Sequence, residues 1–125
     1  MSDDDAWILQ IVMAGEKVLA YIRGVDQVVF ESDEMLHDAV MLQLVVIGEA
    51  AGKLSATFRG QYSKLPWAKI RATRNVIAHS YAIVDLGRIW LAATKGVPEV
   101  LAVLKPLVPP DDPSAGGPDE PPDVD

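Results

Sequence analysis

Met41-Leu-Gln-Leu-Val-Val-Ile47 carries a single polar residue, Gln43, and leaves no polar face at the helical period. A helix that is apolar on nearly every side either runs through the middle of a bundle or turns a face to a partner chain. Ser32-Asp33-Glu34 supplies an N-cap at Ser32 and acids near the positive end of the helix dipole, so the helix is expected from Ser32 to about Lys53. Gly48, Ala50, Ala51 and Gly52 at its far end admit the close approach of another backbone, or merely weaken the helix end.

Outward from this rod the pattern stays helical. Over residues 5–23, Ile8, Ile11, Val12, Val18, Leu19 and Ile22 recur at helical spacing, with Gly15 on the same stripe and Gly24 as the stop. Asp26 caps a short turn through Phe30. Residues 55–63 read as a polar link with room for one helical turn. Leu65-Pro66-Trp67 opens a third helix, with Pro66 in its first turn and Ile70, Val76 and Ile77 as apolar contacts. Asp85 caps a fourth helix, residues 86 to about 106, with Leu86, Ile89, Trp90 and Ala93 inward and a bend or break near Gly96 and Pro98. No internal repeat or strand pattern is evident. The expected fold is all-α, an antiparallel bundle of four to five helices.

A chain of 125 residues has room for one domain. That domain is expected over 1–107, and 108–125, rich in proline and acid, is expected to be disordered. There is no cysteine, which excludes disulfides, thiolate catalysis and cysteine-based zinc sites and fits a reducing, cytoplasmic setting. The acidic start, Met1-Ser-Asp-Asp-Asp5, is the opposite of a signal peptide's. Apolar runs fall short of the ~20 residues of a membrane span, so no membrane association is expected. The net charge of -7 conceals an asymmetry. Six acids and no base lie between Leu107 and Asp125, and setting them aside leaves 12 acids against 11 bases. Six of those bases, Lys53, Arg59, Lys64, Lys69, Arg71 and Arg74, fall in a segment without Asp or Glu. Such a surface attracts phosphate, although a solvated helix face would look the same. Lys69 and Arg71 are the expected RNA contacts in it.

The end of the third helix reads Arg71-Ala-Thr-Arg-Asn-Val-Ile-Ala-His79-Ser-Tyr81. Histidine exchanges protons near neutrality, and arginine offers a permanent charge on a planar fork that suits phosphate. Together they can cleave RNA without a metal: the 2′-hydroxyl attacks the adjacent phosphate, His79 moves protons, and Arg74 stabilises the developing charge. Two histidines without clustered carboxylates have no metal-ligand spacing, and no cofactor is expected. The bland reading is that His79 donates to a carbonyl at the helix end while Arg74 pairs with Glu49 or Asp38. Glu49, placed toward the interior helix end, could orient Arg74. Geometry adds a constraint. At ~100° per residue, Arg74 and His79 lie about 140° apart on an ideal helix, whereas Asn75 and His79 share a face. Either the helix distorts near His79, or a second copy completes the site across a two-fold axis.

Arg74-Asn75-x3-His79-x-Tyr81 resembles the signature of the HepT-like branch of the HEPN superfamily. Val46-Ile-Gly-Glu-Ala-Ala51, Leu65-Pro-Trp-x-Lys-Ile70, Val84-Asp85 and Ile89-Trp90 resemble the same branch in the same order, over about residues 5–106. The resemblance implies a helical-bundle homodimer that acts as the ribonuclease toxin of a toxin–antitoxin pair. Its partner would be an MntA-like minimal nucleotidyltransferase, with which it could form a larger hetero-oligomer. It makes Arg74 and His79 the catalytic pair, with Asn75 and Glu49 supporting. Tyr81 becomes the residue that the antitoxin silences by AMPylation, which would set a bulky charged group beside Arg74. Ala72-Thr73 departs from the glycine and bulkier residue expected there, a matter of packing. The competing function is a non-enzymatic regulatory subunit that binds a minimal nucleotidyltransferase, with Arg74 and His79 contacting that partner or a nucleotide.

Overall fold

A computed structural model describes residues 3–109. Its helices are α1 (Asp3–Tyr21), α2 (Gln27–Ser32), α3 (Glu34–Lys53), α4 (Ala56–Gln61), α5 (Trp67–Ser80), α6 (Leu86–Leu91) and α7 (Val97–Leu104). Short 3-10 turns follow α5 at Tyr81–Ile83 and α7 at Lys105–Leu107. No strand occurs among the described residues. Beyond Pro109 the acidic tail expected from 108 onward lies outside them.

The over-apolar helix is the central rod. α3 packs on α1 along one side and on α5 along another, and α7 closes on α1. Val40, Met41, Leu44 and Ile47 bury their side chains in this core, while Leu42 and Met35 stay 60% and 84% exposed. The first alternative for such a helix holds, since it runs through the bundle, and it also keeps an apolar strip in solvent. By length and composition its 20 residues also pass for a membrane span, contrary to the expectation that no segment would. Isolated polar residues such as Gln43 do not interrupt so apolar a helix, and here its apolar side chains are largely spent on the core.

Several boundaries depart from the sequence expectation. α3 is capped by Asp33, whose carboxylate accepts from the Leu36 amide at 3.0 Å. Ser32 instead ends α2 and turns its hydroxyl back to donate to the Val29 carbonyl. The polar link is a helix, α4, because Ser55 caps it and Phe58 is buried against Tyr62, ring centroids 4.6 Å apart. Asp4 carries this corner, accepting from the Ser55 amide at 2.9 Å and its hydroxyl at 2.7 Å. Those two bonds hold the Asp4 carboxyl below its ordinary range. The interruption expected at Gly96 and Pro98 is a π-helical turn over Ala92–Gly96, closed by the Val97 amide on the Ala92 carbonyl. Pro98 has no N–H to return to the preceding turn, and widening that turn keeps α6 and α7 on one continuous path.

Candidate active site

α5 runs from Trp67 to Ser80, and its backbone leaves helical geometry at Ser80 (φ -138°, ψ 31°), so the distortion expected near His79 falls one residue after it and the path from Arg74 to His79 stays helical. Its inner stripe is Ile70, Thr73, Arg74 and Ile77, and Ile77 is buried. Val76, expected to join these contacts, is 44% exposed because it lies a quarter-turn off the stripe. Thr73, at the position that departs from the HepT-like pattern, donates its hydroxyl to the Lys69 carbonyl and packs half-buried.

Arg74 is fixed by α3. A Cβ at Gly48 would stand 2.2 Å from Arg74 Cβ, so only a glycine there lets the two helices approach this closely. The guanidinium then reaches Glu49, donating through Nε at 2.9 Å and also through Nη2, while Nη1 donates to Asn75 Oδ1 at 3.1 Å. One N–H on each terminal nitrogen remains for a ligand. Glu49 is exposed, at the rim rather than toward the interior. Its pairing with Arg74 is the one that sequence reasoning named alongside Asp38.

Asp38 serves Tyr81 instead. Its carboxylate accepts from the Tyr81 hydroxyl and, with Glu34 adding negative charge, holds that phenol above its ordinary pKa. Asp38 also stands 3.4 Å from Nδ1 of His37, a ring packed edge-on to Phe30. That nitrogen is buried without an aligned hydrogen-bond partner among the described residues. Asp38 and Glu49 are separated by about 16 Å along α3. Tyr81 and Arg74 therefore lean on opposite ends of the same rod, and Tyr81 is not beside the arginine.

His79 is exposed, and its side chain makes no hydrogen bond or ion pair among the described residues. Helical spacing leaves it about 140° round from Arg74, on the side of the exposed Val76. Within one chain the arginine and the histidine are not brought together.

A family model described as "Ribonuclease HepT-like" matches residues 11–107. The chain belongs to that HepT-like family. It is 26% identical over 98 residues to "Putative RNase MJ1380" of Methanocaldococcus jannaschii, a match that covers 78% of this chain and 90% of that protein. It is 29% identical over 102 residues to "Putative RNase TTE0752" of Caldanaerobacter subterraneus, covering 82% and 91%. Against "Probable ribonuclease HepT" of Thermococcus cleftensis the identity is 27% over 71 residues, covering 57% and 64%. No solved structure matches.

The basic segment of this HepT-like chain divides into separate uses. Arg59 is structural, donating to the Ala51 and Leu54 carbonyls at the end of α3. Lys53 lies over the Trp7 ring at 4.9 Å. Arg71 crosses Gly52 and, with Arg74, lines an open hollow between α3 and α5 that the exposed Lys69 does not line. Trp67 is committed to the bundle through Nε1, which donates to the Tyr62 carbonyl at 3.0 Å, and through an edge contact with Phe58. Sequence reasoning missed the Asp38–Tyr81 pair and the place of Lys53. The spacing of 43 residues between the first two and of 18 between Lys53 and Arg71 carries no local signal.

Proposed function

We propose that this HepT-like protein is a metal-independent endoribonuclease and the toxin of a toxin–antitoxin pair, working as a homodimer. The observation that carries the reading is the division of the motif: Arg74 is locked onto Glu49 with N–H groups to spare, while His79 stands unpartnered on another face of a regular helix. The backbone departs from the helix only after His79, which favours the solution in which a second copy sets His79 opposite Arg74. A surface for it is available. Met35, Leu42 and Val45 share the α3 face that bears Asp38 and Glu49, and Leu42 and Met35 are largely solvent-exposed. Two copies joined there bury those side chains and line both motifs along one cleft.

In that cleft the RNA 2′-hydroxyl gives up its proton to an imidazole and its oxygen attacks phosphorus. The bond to the 5′-oxygen breaks, that oxygen takes a proton, and the products carry a 2′,3′-cyclic phosphate and a 5′-hydroxyl. Arg74 holds the phosphoryl oxygens as negative charge builds. Glu49 and Asn75 keep its fork in place.

The partner in this reading is an MntA-like minimal nucleotidyltransferase, and Tyr81 is the residue it modifies. An AMP group there would act at the end of the cleft nearer His79, two residues away, rather than at Arg74. The test is total RNA incubated with the purified protein and EDTA, beside His79→Ala. Cleavage by the parent alone, leaving cyclic phosphate ends, is the expected result. No cleavage, with Tyr81 unmodified by intact mass, would transfer the assignment to a non-enzymatic subunit of the nucleotidyltransferase.

A further inference from the structure

Beside Arg74, where α3 ends against α5, lies an open hollow of about 210 Å³. Its floor is Gly48 and Gly52, and its walls carry Lys53, Arg71 and Arg74, with Glu49 the single acid. Glu49 is already spent on Arg74. Lys53 and Arg71 make no ion pair among the described residues. Both line the hollow although they lie on different helices, because α3 and α5 approach closely at Gly48, and the Lys53 ammonium at the same time stands 4.9 Å from the Trp7 ring centroid. The absence of a side chain at Gly52 also matters: a Cβ there would meet Arg71 Nε at 3.5 Å, so any larger side chain would grow into the space between the two cations. Lys53 and Arg71, without ion pairs among the described residues, together with Arg74, whose charge is only partly offset, make the hollow a receptacle for a single anionic group of phosphate size.

We propose that this hollow is a phosphate subsite, in which Lys53 and Arg71 hold the RNA phosphodiester next to the one that meets Arg74. The proposal rests on the ribonuclease reading above and deepens it. Arg71 precedes Arg74 by one helical turn on α5, so a strand whose reacting phosphate lies at Arg74 passes over the hollow with its neighbouring phosphate. The contact is to the backbone, so it strengthens binding and sets the register of the strand without reading bases. The other basic residues of the segment do not contribute: Arg59 is bonded to carbonyls, and Lys64 and Lys69 lie outside the hollow.

The test uses the full chain carrying His79→Ala, so that RNA stays intact, and a labelled single-stranded RNA titrated over a range of KCl concentrations. Each phosphate contact contributes about 0.7 to the slope of log affinity against log salt. Lys53→Gln and Arg71→Gln are each expected to make that slope shallower by roughly this amount, equally for unrelated RNA sequences. Lys95→Gln, on an exposed residue of the π turn, is expected to leave it unchanged. Gly52→Asp cancels charge in the hollow without deleting either base and is expected to weaken binding more than Gly52→Ala. Circular dichroism melting checks that each variant is folded. If the parent cleaves and binds RNA but the Lys53/Arg71 double variant keeps the full slope, the subsite is wrong and the ribonuclease reading stands. If ATP binding is lost in that variant while the RNA slope is kept, the hollow is a nucleotide site and the proposal fails. If the parent neither binds nor cleaves RNA, both readings fall together.

Discussion

The two ends of the motif helix are held in opposite ways. At Arg74 the side chain is locked: Gly48 lets α5 press against α3, and Glu49 and Asn75 take three of its N–H groups. At His79 no hydrogen bond or ion pair takes hold among the described residues, and the residue is exposed. A stabilising role explains a locked arginine but not an exposed histidine without such a partner. Tyr81, just beyond, is tied again, to Asp38 at the far end of α3. In the proposed ribonuclease this contrast would mean that the bundle prepares a place for phosphate and leaves the proton-transfer group to be positioned by a second copy.

Substitution at the free end breaks this comparison most sharply. His79→Ala is expected to lower RNA cleavage by about 10²–10⁴-fold while leaving the melting temperature unchanged, since the exposed side chain has no hydrogen bond or ion pair to lose among the described residues. A large drop in melting temperature would show that His79 is structural. Next comes the exposed strip of α3. Leu42→Glu, at a residue 60% exposed in one chain, is expected to convert a dimer to monomers in analytical ultracentrifugation and to lose activity with it. A monomeric parent, or a dimer indifferent to the change, would remove the two-copy site.

At the locked end the effect falls first on stability. Gly48→Ala puts a methyl where Arg74 Cβ stands, so α5 must back away at a cost of about 1–3 kcal/mol, measured by denaturant unfolding. Arg74 then leaves Glu49, and cleavage falls further than the lost stability accounts for. Unchanged stability would mean that the helices can separate freely. The smallest effect is at Tyr81. Asp38→Asn removes the carboxylate that favours the neutral phenol, so the Tyr81 pKa drops back toward its ordinary value, followed as the ultraviolet titration difference from a Tyr81→Phe background. The sign follows from the raised value: the bond to Asp38 favours the folded state below the ordinary tyrosine pKa, and that contribution is lost as pH rises through the raised one.

Much of this was legible in order along the chain. The all-α fold, the central place of α3, the caps at Asp26 and Asp85 and the stop at Gly24 follow from periodicity and local hydrogen bonding, which act over a few residues. The same local rules misplaced the start of α3, because Ser32 and Asp33 can both cap and only the end of α2 decides between them. They also read α4 as a link, because the burial of Phe58 depends on Tyr62 and Trp67 folding onto it.

The motif, its residue types and the turn of about 140° between Arg74 and His79 are properties of the sequence by itself, since they depend only on spacing along one helix. Membership of the HepT-like family rests on the sequence too. What the tertiary structure alone decided is which carboxylate each motif residue meets, Glu49 for Arg74 and Asp38 for Tyr81, and that Lys53 and Arg71 line one hollow beside Arg74. Those pairings depend on the register of α5 against α3. That register is set where a backbone can come close, at Gly48, and no count of residues between the partners contains it.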